Sequence, residues 1–180
     1  MKPLIRPARP EDVPAVVSMI HELAAYERAP EQCHITDEQL HAALFAENPA
    51  IYVHVAEVPG TDPAAEATGD TELVGFALWF LNFSTWEGVH GIYLEDLYVR
   101  PSARGSGIGK ALLATLADIC VERGYARLEW WVLRWNPARD FYAAIGATAM
   151  DEWMPYRLTG PALRRLAAQA PRLPAQRTMR

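Results

Sequence analysis

Apolar residues Val13, Val16, Val17, Ile20, Leu23 and Ala24 recur three and four apart behind Pro10, Glu11 and Asp12. That is the period of a helix with one buried stripe, and its acids fall in the first turn, where the helix dipole favours them. Leu4–Arg6 ahead of it predicts a short strand. Leu40 and Leu44 share one face of a second helix, Thr36–Phe45, which Thr36 caps and Glu47-Asn48-Pro49 stops. The pattern then turns β-like over Ile51–Val58, Leu73–Leu81 and Ile92–Val99, the last two joined by a loop carrying Trp86 and Gly88. Between the first two of these, Pro59–Asp70 has no apolar period and reads as a solvated loop. From Gly107 the helical period returns through Ile108, Leu112, Leu116, Ile119 and Cys120 to a stop at Gly124. Arg127–Leu133 predicts a strand, Ala138–Ile145 a short helix ended by Gly146, and Tyr156–Thr159 a last strand. The order β α α β β β α β α β, with antiparallel neighbours first and a crossover helix later, predicts one α/β domain built on a mixed sheet.

Length and composition narrow the class. The 180 residues, 51% hydrophobic and 22% charged, suit a single globular domain with its own core and exclude disordered, collagenous or coiled-coil chains. The domain is expected to span residues 1–167, with 168–180 a disordered basic tail. Only Cys33 and Cys120 are present, which excludes a disulfide framework and fits a reducing compartment. The longest apolar run, Leu73–Leu81, is too short to span a bilayer, and the N-terminus has no hydrophobic signal region, so a cytoplasmic protein without membrane partners is expected. Net charge is −5, but five arginines and no acid lie after Thr159, leaving residues 1–159 at −10. Such a field repels nucleic acid and draws small cations.

The segment with most chemistry in it is Arg104-Gly105-Ser106-Gly107-Ile108-Gly109-Lys110, set between a predicted strand and a predicted helix. Three glycines at alternate positions let backbone amides converge on an anion with no side chain in the way. A nucleotide P-loop would need Gly and Ser or Thr where Arg104 and Ala111 stand, and a dinucleotide fingerprint would need Gly where Lys110 stands. Both fail. No histidine spacing fits a metal, and the cysteines form no CxxC pair, so no metal is expected.

Arg104, Gly107 and Gly109 fill the pattern R/Q-x-x-G-x-G/A, and on it the chain resembles the Gcn5-related N-acetyltransferases (GNAT), whose loop of this form holds the pyrophosphate of acetyl-CoA. Tyr93–Val99 resembles that family's fourth strand, with its bulge, and Trp135-Asn136-Pro137 through Tyr142 its Asn and Tyr segment. Ile5-Arg6-Pro7-Ala8, Glu22-Leu23-Ala24, Tyr26-Glu27, Val55–Pro59, Val74–Ala77 and Tyr93–Asp96 are similar to the diamine (spermidine/spermine) acetyltransferases, over residues 4 to about 165. The resemblance implies a GNAT fold with helices on both faces of the sheet, acetyl-CoA as co-substrate and a homodimer. It implies direct acetyl transfer to a primary amine of a small cationic metabolite. The alternatives are a non-catalytic acetyl-CoA-binding module and transfer to protein amines.

By the same resemblance, residues Gly105–Lys110 (Gly105, Ser106, Gly107, Ile108, Gly109, Lys110) with the Arg104 side chain would hold the pyrophosphate, and Asn136 the pantetheine arm. A backbone donor among Leu97, Tyr98 and Val99 would face the thioester oxygen. Glu95, directly or through water, would take the amine's proton and Tyr142 would protonate the departing thiolate. Tyr26, Glu27, Glu95, Asp96, Glu129, Trp130 and Trp131 would meet the substrate. Glu95 and Asp96 adjoin on a strand and face opposite sides, so an ordinary surface acid is the competing reading for one of them. Of Trp130 and Trp131, one is expected in the core and the other in the cleft. Three departures stand out: Ser84 replaces an acid two residues before Trp86, Trp153 and Met154 replace an acidic pair, and the Asn136-to-Tyr142 span is one residue short. The first two remove acids from a polycation pocket, which favours a short diamine or lysine-like amine over spermine.

Overall fold

The computed structural model describes residues 3–60 and 71–171. These form two compact units, one ending at Trp131 and the other beginning at Val132. In the first unit β1 (Leu4–Pro7), β2 (Tyr52–Pro59), β3 (Thr71–Ser84), β4 (Val89–Val99) and β5 (Leu128–Trp130) make a sheet in the order β1-β2-β3-β4-β5. The first four are antiparallel and β5 is parallel to β4. A parallel neighbour requires a crossover, supplied by helix α3 (Ile108–Arg123). This is the mixed α/β sheet that the sequence predicts.

Side-chain alternation sorts the sheet into two buried faces. Val53, Val55, Phe76, Leu78 and Tyr98 point one way and form the core with Val13, Val16, Val17 and Met19 of α1 (Val13–Tyr26) and Leu40 and Leu44 of α2 (Asp37–Leu44). The opposite face is lined with small residues, Ala56, Gly75 and Ala77, where α3 lies close with Ile108, Leu112, Leu113 and Leu116 buried. Thr36 caps α2 with a reciprocal pair, its hydroxyl accepting from the Gln39 amide at 3.3 Å while its own amide donates to Gln39 Oε1 at 3.1 Å. Arg6 ties β1 to both the helical turn before α1 and β2, donating to Asp12 and to Glu57 at 2.6 Å each. Burial pushes the Asp12 carboxyl up, but the bonds from Arg6 and the Arg9 amide outweigh it and hold the pKa below the ordinary aspartate value.

Two predicted elements change, and one helix appears that the sequence did not predict. The strand Arg127–Leu133 shrinks to β5, because it pairs only with Ile92–Leu94 and β4 changes direction immediately afterwards. Tyr156–Thr159 is not a strand: these residues are exposed and no ladder among the described residues receives them. Instead a helix, α5 (Gly160–Ala167), follows, started by an extended Thr159 and a proline in its first turn. The second unit also holds α4 (Ala138–Ala144). Most of the predicted Pro59–Asp70 loop and of the 168–180 tail lies outside the described residues.

A Cβ on Gly75 would stand 2.8 Å from the Tyr98 carbonyl oxygen and 3.3–3.4 Å from Val99 and Ile108 side chains. Gly75→Ala should therefore pry β3 from β4 and lower stability by roughly 1–3 kcal/mol, the usual cost of overpacking. Urea unfolding of the variant, followed by tryptophan fluorescence, measures it.

Candidate active site

The site grows from one irregularity in β4. Across from Leu78 and Trp79 the register jumps from Asp96 to Leu94, leaving Glu95 as an extra residue, a β-bulge. Beyond the bulge Asp96 and Tyr98 pair with Leu78 and Phe76 and turn to the α1 side. The Arg100 amide donates to Val74 O at 2.8 Å. By antiparallel alternation the Tyr98 and Asp96 amides also point to β3, whereas those of Leu97 and Val99 point to the other edge. On that edge β5 has already ended, opposite Leu94. Two strand amides thus face an open edge next to an exposed carboxylate, Glu95.

The glycine loop follows directly. Gly105 and Gly107 have φ of +78° and +87°, the left-handed region, and no atom lies within 4 Å of where a Cβ would stand on either. Gly107 caps α3 without any side-chain bond to the first turn, and the first helical acceptor, Gly107 O, serves the Ala111 amide. The amides of Ile108, Gly109 and Lys110 therefore have no helical acceptor. The open loop, its unspent amides and the positive end of α3 fit a pyrophosphate.

The Arg104 side chain lies elsewhere than in that loop's concavity. Its guanidinium stacks 4.9 Å from the Tyr26 ring and 5.5 Å from the Tyr98 ring, and its Nε donates to Val99 O at 2.9 Å. It bridges the C-terminal end of α1 to β4. Glu22, one turn before Tyr26, pairs with Arg100 at 3.3 Å and also acts on Tyr98, whose hydroxyl burial and Glu22 together push up in pKa. The sequence gives Glu22 no site role beyond its place in the Glu22-Leu23-Ala24 resemblance, although its i, i+4 spacing puts it on one helix face with Tyr26.

The acids at this end of the unit carry the electrostatics. Asp96 is pushed up to about 6, first by burial and then by the negative charges of Glu95 and Glu27. Burial also raises Glu27. Tyr26, Glu27, Glu95, Asp96 and Arg104 are thus brought together. Glu129 is engaged in the sheet instead: it accepts from Asn82 Nδ2 at 2.6 Å and lies 2.8 Å from Arg127 Nε. Neither tryptophan is in the core. Trp130 is half-buried on β5, and Trp131 is exposed with its ring edge-on to Tyr93 at 6.1 Å. In the second unit Asn136 starts α4, its Oδ1 accepting from the Ala138 amide at 2.9 Å, and Tyr142 stands half-buried on the same helix beside Phe141. Among the described residues no group of His, Cys, Asp and Glu could hold a metal ion, and no helix is long and apolar enough to cross a membrane.

The profile of the acetyltransferase (GNAT) family matches residues 17–147. The chain belongs to that family. The thialysine N-epsilon-acetyltransferase of Sus scrofa is 38% identical over 170 residues, covering 92% of this chain and 98% of its own. The L-ornithine N5-acetyltransferase of Arabidopsis thaliana is 32% identical, with 88% of this chain and 85% of its own covered. Among solved structures, an integron cassette protein of V. cholerae superposes with a TM-score of 0.71 at 28% identity over 93% of this chain and 98% of its own. An aminoglycoside acetyltransferase from an uncultured soil sample, at 20% identity and a TM-score of 0.67 over 87% of this chain and 95% of its own, shares the fold. This GNAT chain is an N-acetyltransferase.

Two measurements test the site. Gly109 has an ordinary φ, and a Cβ there would meet only Val99 at 3.8 Å, so Gly109→Asp should leave the fold intact, with an acid where the helix dipole welcomes one. The same carboxylate would repel a phosphate, and calorimetry should find CoA affinity reduced by about 100-fold or more. Asp96 has a folded pKa above its unfolded one, so its contribution to stability is greatest below pH 4 and is lost as pH rises through about 6. Asp96→Asn should stabilise the fold by on the order of 3 kcal/mol at pH 8 and by almost nothing below pH 4, while impairing turnover. Unfolding curves between pH 4 and pH 8 read the difference.

Proposed function

We propose that this enzyme transfers the acetyl group of acetyl-CoA to the side-chain amine of a short, lysine-like cationic amino acid or a short diamine. The observation that carries the reading is the acid group Glu27, Glu95 and Asp96 beside the two outward strand amides and the glycine loop. It is supported by relatives whose names specify thialysine and L-ornithine as substrates. Both have one terminal amine on a short chain that also carries an α-amino group. The spermidine/spermine-like relative is 33% identical but over 79% of this chain and 20% of its own. Ser84 is buried and its hydroxyl accepts from the Glu87 amide, so that position holds a turn and presents no acid to a distant polyamine nitrogen.

Acetyl-CoA, when bound, supplies an activated thioester. The amides of Gly105–Lys110 would hold its pyrophosphate and Asn136 its pantetheine arm. The Leu97 and Val99 amides, fixed by the bulge, are the donors for the thioester oxygen, where preorganisation is worth most. Tyr98, whose amide is used by β3, contributes its ring to the Arg104 stack instead. At pH 7 Asp96 is mostly ionised and attracts the ammonium form of the substrate. Glu95, exposed on the bulge, receives the proton directly or through water, and Tyr142 returns one to the thiolate. Tyr26 and Glu27 would line the substrate end, with Trp130 and Trp131 at its β5 side, while Glu129 stays paired in the sheet. We further infer a catalytic domain of residues 1–167, supported by similarity over 92% of the chain, and, from the resemblance to the diamine acetyltransferases alone, a cytoplasmic homodimer.

A turnover screen at low salt should rank thialysine, ornithine, lysine or a short diamine above spermine, and kcat/KM for the best substrate should fall as salt rises. Spermine as the best substrate, or neutral amines equal to cationic ones, would refute the specificity. Tyr142→Phe keeps the ring and removes only the hydroxyl, so turnover should drop by roughly 10² to 10⁴ with CoA affinity unchanged. Wild-type turnover would return Tyr142 to a packing role.

A further inference from the structure

At the far end of the α3 side of the sheet, where β2 begins and α3 ends, lies a half-open cavity of about 250 Å³. Leu44, Phe45, Ile51 and Ile119 supply apolar walls, and Tyr52, His54 and Arg123 are the polar side chains among the lining residues. His54 is only 8% exposed. Its Nδ1 accepts from the Trp79 indole N–H at 3.1 Å, so the neutral ring carries its proton on Nε2. Burial lowers the His54 pKa and keeps the ring neutral. The Nε2–H has no partner among the described residues, and it is not sealed from the surface. Tyr52, stacked on Trp79 at 4.6 Å, holds the indole in place and so holds the imidazole.

A nine-tenths buried imidazole with one nitrogen anchored and one donor open is a preorganised site for an acceptor. The space exceeds that of a water molecule several-fold and the walls are apolar, so water alone fills it poorly. It is smaller than a drug-sized pocket, which limits the occupant to about the size of one ring. Arg123, the last residue of α3, adds a positive charge at the mouth. We propose that this cavity binds a small aromatic or branched carboxylate, its apolar body between Phe45, Ile51 and Ile119 and its carboxylate between His54 Nε2–H and Arg123. None of these residues belongs to the acetyl-transfer site, so the proposal stands or falls independently of the substrate assigned there.

The Trp79 indole N–H, bonded to His54, is a built-in reporter. In the full chain, titration with benzoate should shift the Trp79 indole resonance in a ¹H–¹⁵N spectrum saturably, with a Kd of about 1 mM or lower, and benzyl alcohol should bind about tenfold more weakly or worse. Arg123→Gln, an exposed change, should weaken benzoate by about tenfold while leaving kcat for acetyl transfer unchanged. Ile119→Trp, filling the cavity, should abolish the shift, with CoA binding confirming that the variant is folded. Absence of a saturable shift up to about 10 mM benzoate, equal binding of benzyl alcohol, or unchanged benzoate affinity in either folded variant would overturn the site.

Discussion

The active site depends on one surplus residue. Because β4 carries Glu95 opposite nothing on β3, the strand beyond it is rotated relative to the strand before it. Without the bulge, strict alternation would exchange the faces of Asp96 and Leu97, placing an aliphatic side chain against α1 and a carboxylate beneath α3. The same extra residue ends the ladder to β5 after Leu94, which is what leaves the Leu97 and Val99 amides without a neighbouring strand. The buried carboxylate and the outward strand amides are therefore consequences of one local insertion, and the small residues of β3, Gly75 above all, let α3 approach the sheet closely.

Arg104 shows how the loop and the substrate end are made into one body. A guanidinium stacked on Tyr26 and Tyr98 and bonded to Val99 O cannot be moved without disturbing α1, β4 and the loop together. The loop's backbone amides, exposed by glycines at left-handed φ, would need no side-chain reorganisation to meet an anion.

Much of this is legible in the sequence itself. Periodicity gave α1, α2, α3 and the four antiparallel strands, and the glycine spacing marked the loop, because both signals are local. The Tyr156–Thr159 strand failed because alternation says only that a segment could pair; whether a ladder is there to receive it is a non-local fact. The helix Gly160–Ala167 carried a usable sign, Thr159 followed by Pro161, that a basic, Ala- and Arg-rich composition obscured. Within the site, adjacency on the strand announced that Glu95 and Asp96 differ in environment but not which one is buried. Glu129 looked like a cleft acid because Asn82 and Arg127, its partners, lie on sequence-distant or unweighted positions.

The distribution of ion pairs separates structural acids from chemical ones. Asp12 and Glu57 share Arg6, Glu22 and Glu72 share Arg100, and Glu129 has Arg127. Glu27 and Asp96, which burial drives up in pKa, have no such cation among the described residues. A buried carboxylate without a counter-ion is unfavourable for folding and persists where a mobile cation completes it. In a body at −10, with Arg6, Arg100 and Arg127 already paired, a small diffusible cation would complement these two acids. On the reading proposed above, a cationic amine would supply that charge to Asp96 and Glu27, and a nitrogen that has lost its proton and been acetylated would no longer supply it. On the proposed reading, the same acids would hold an acetylated, uncharged nitrogen less strongly than the ammonium they attract, so the electrostatics that favour binding would also favour release.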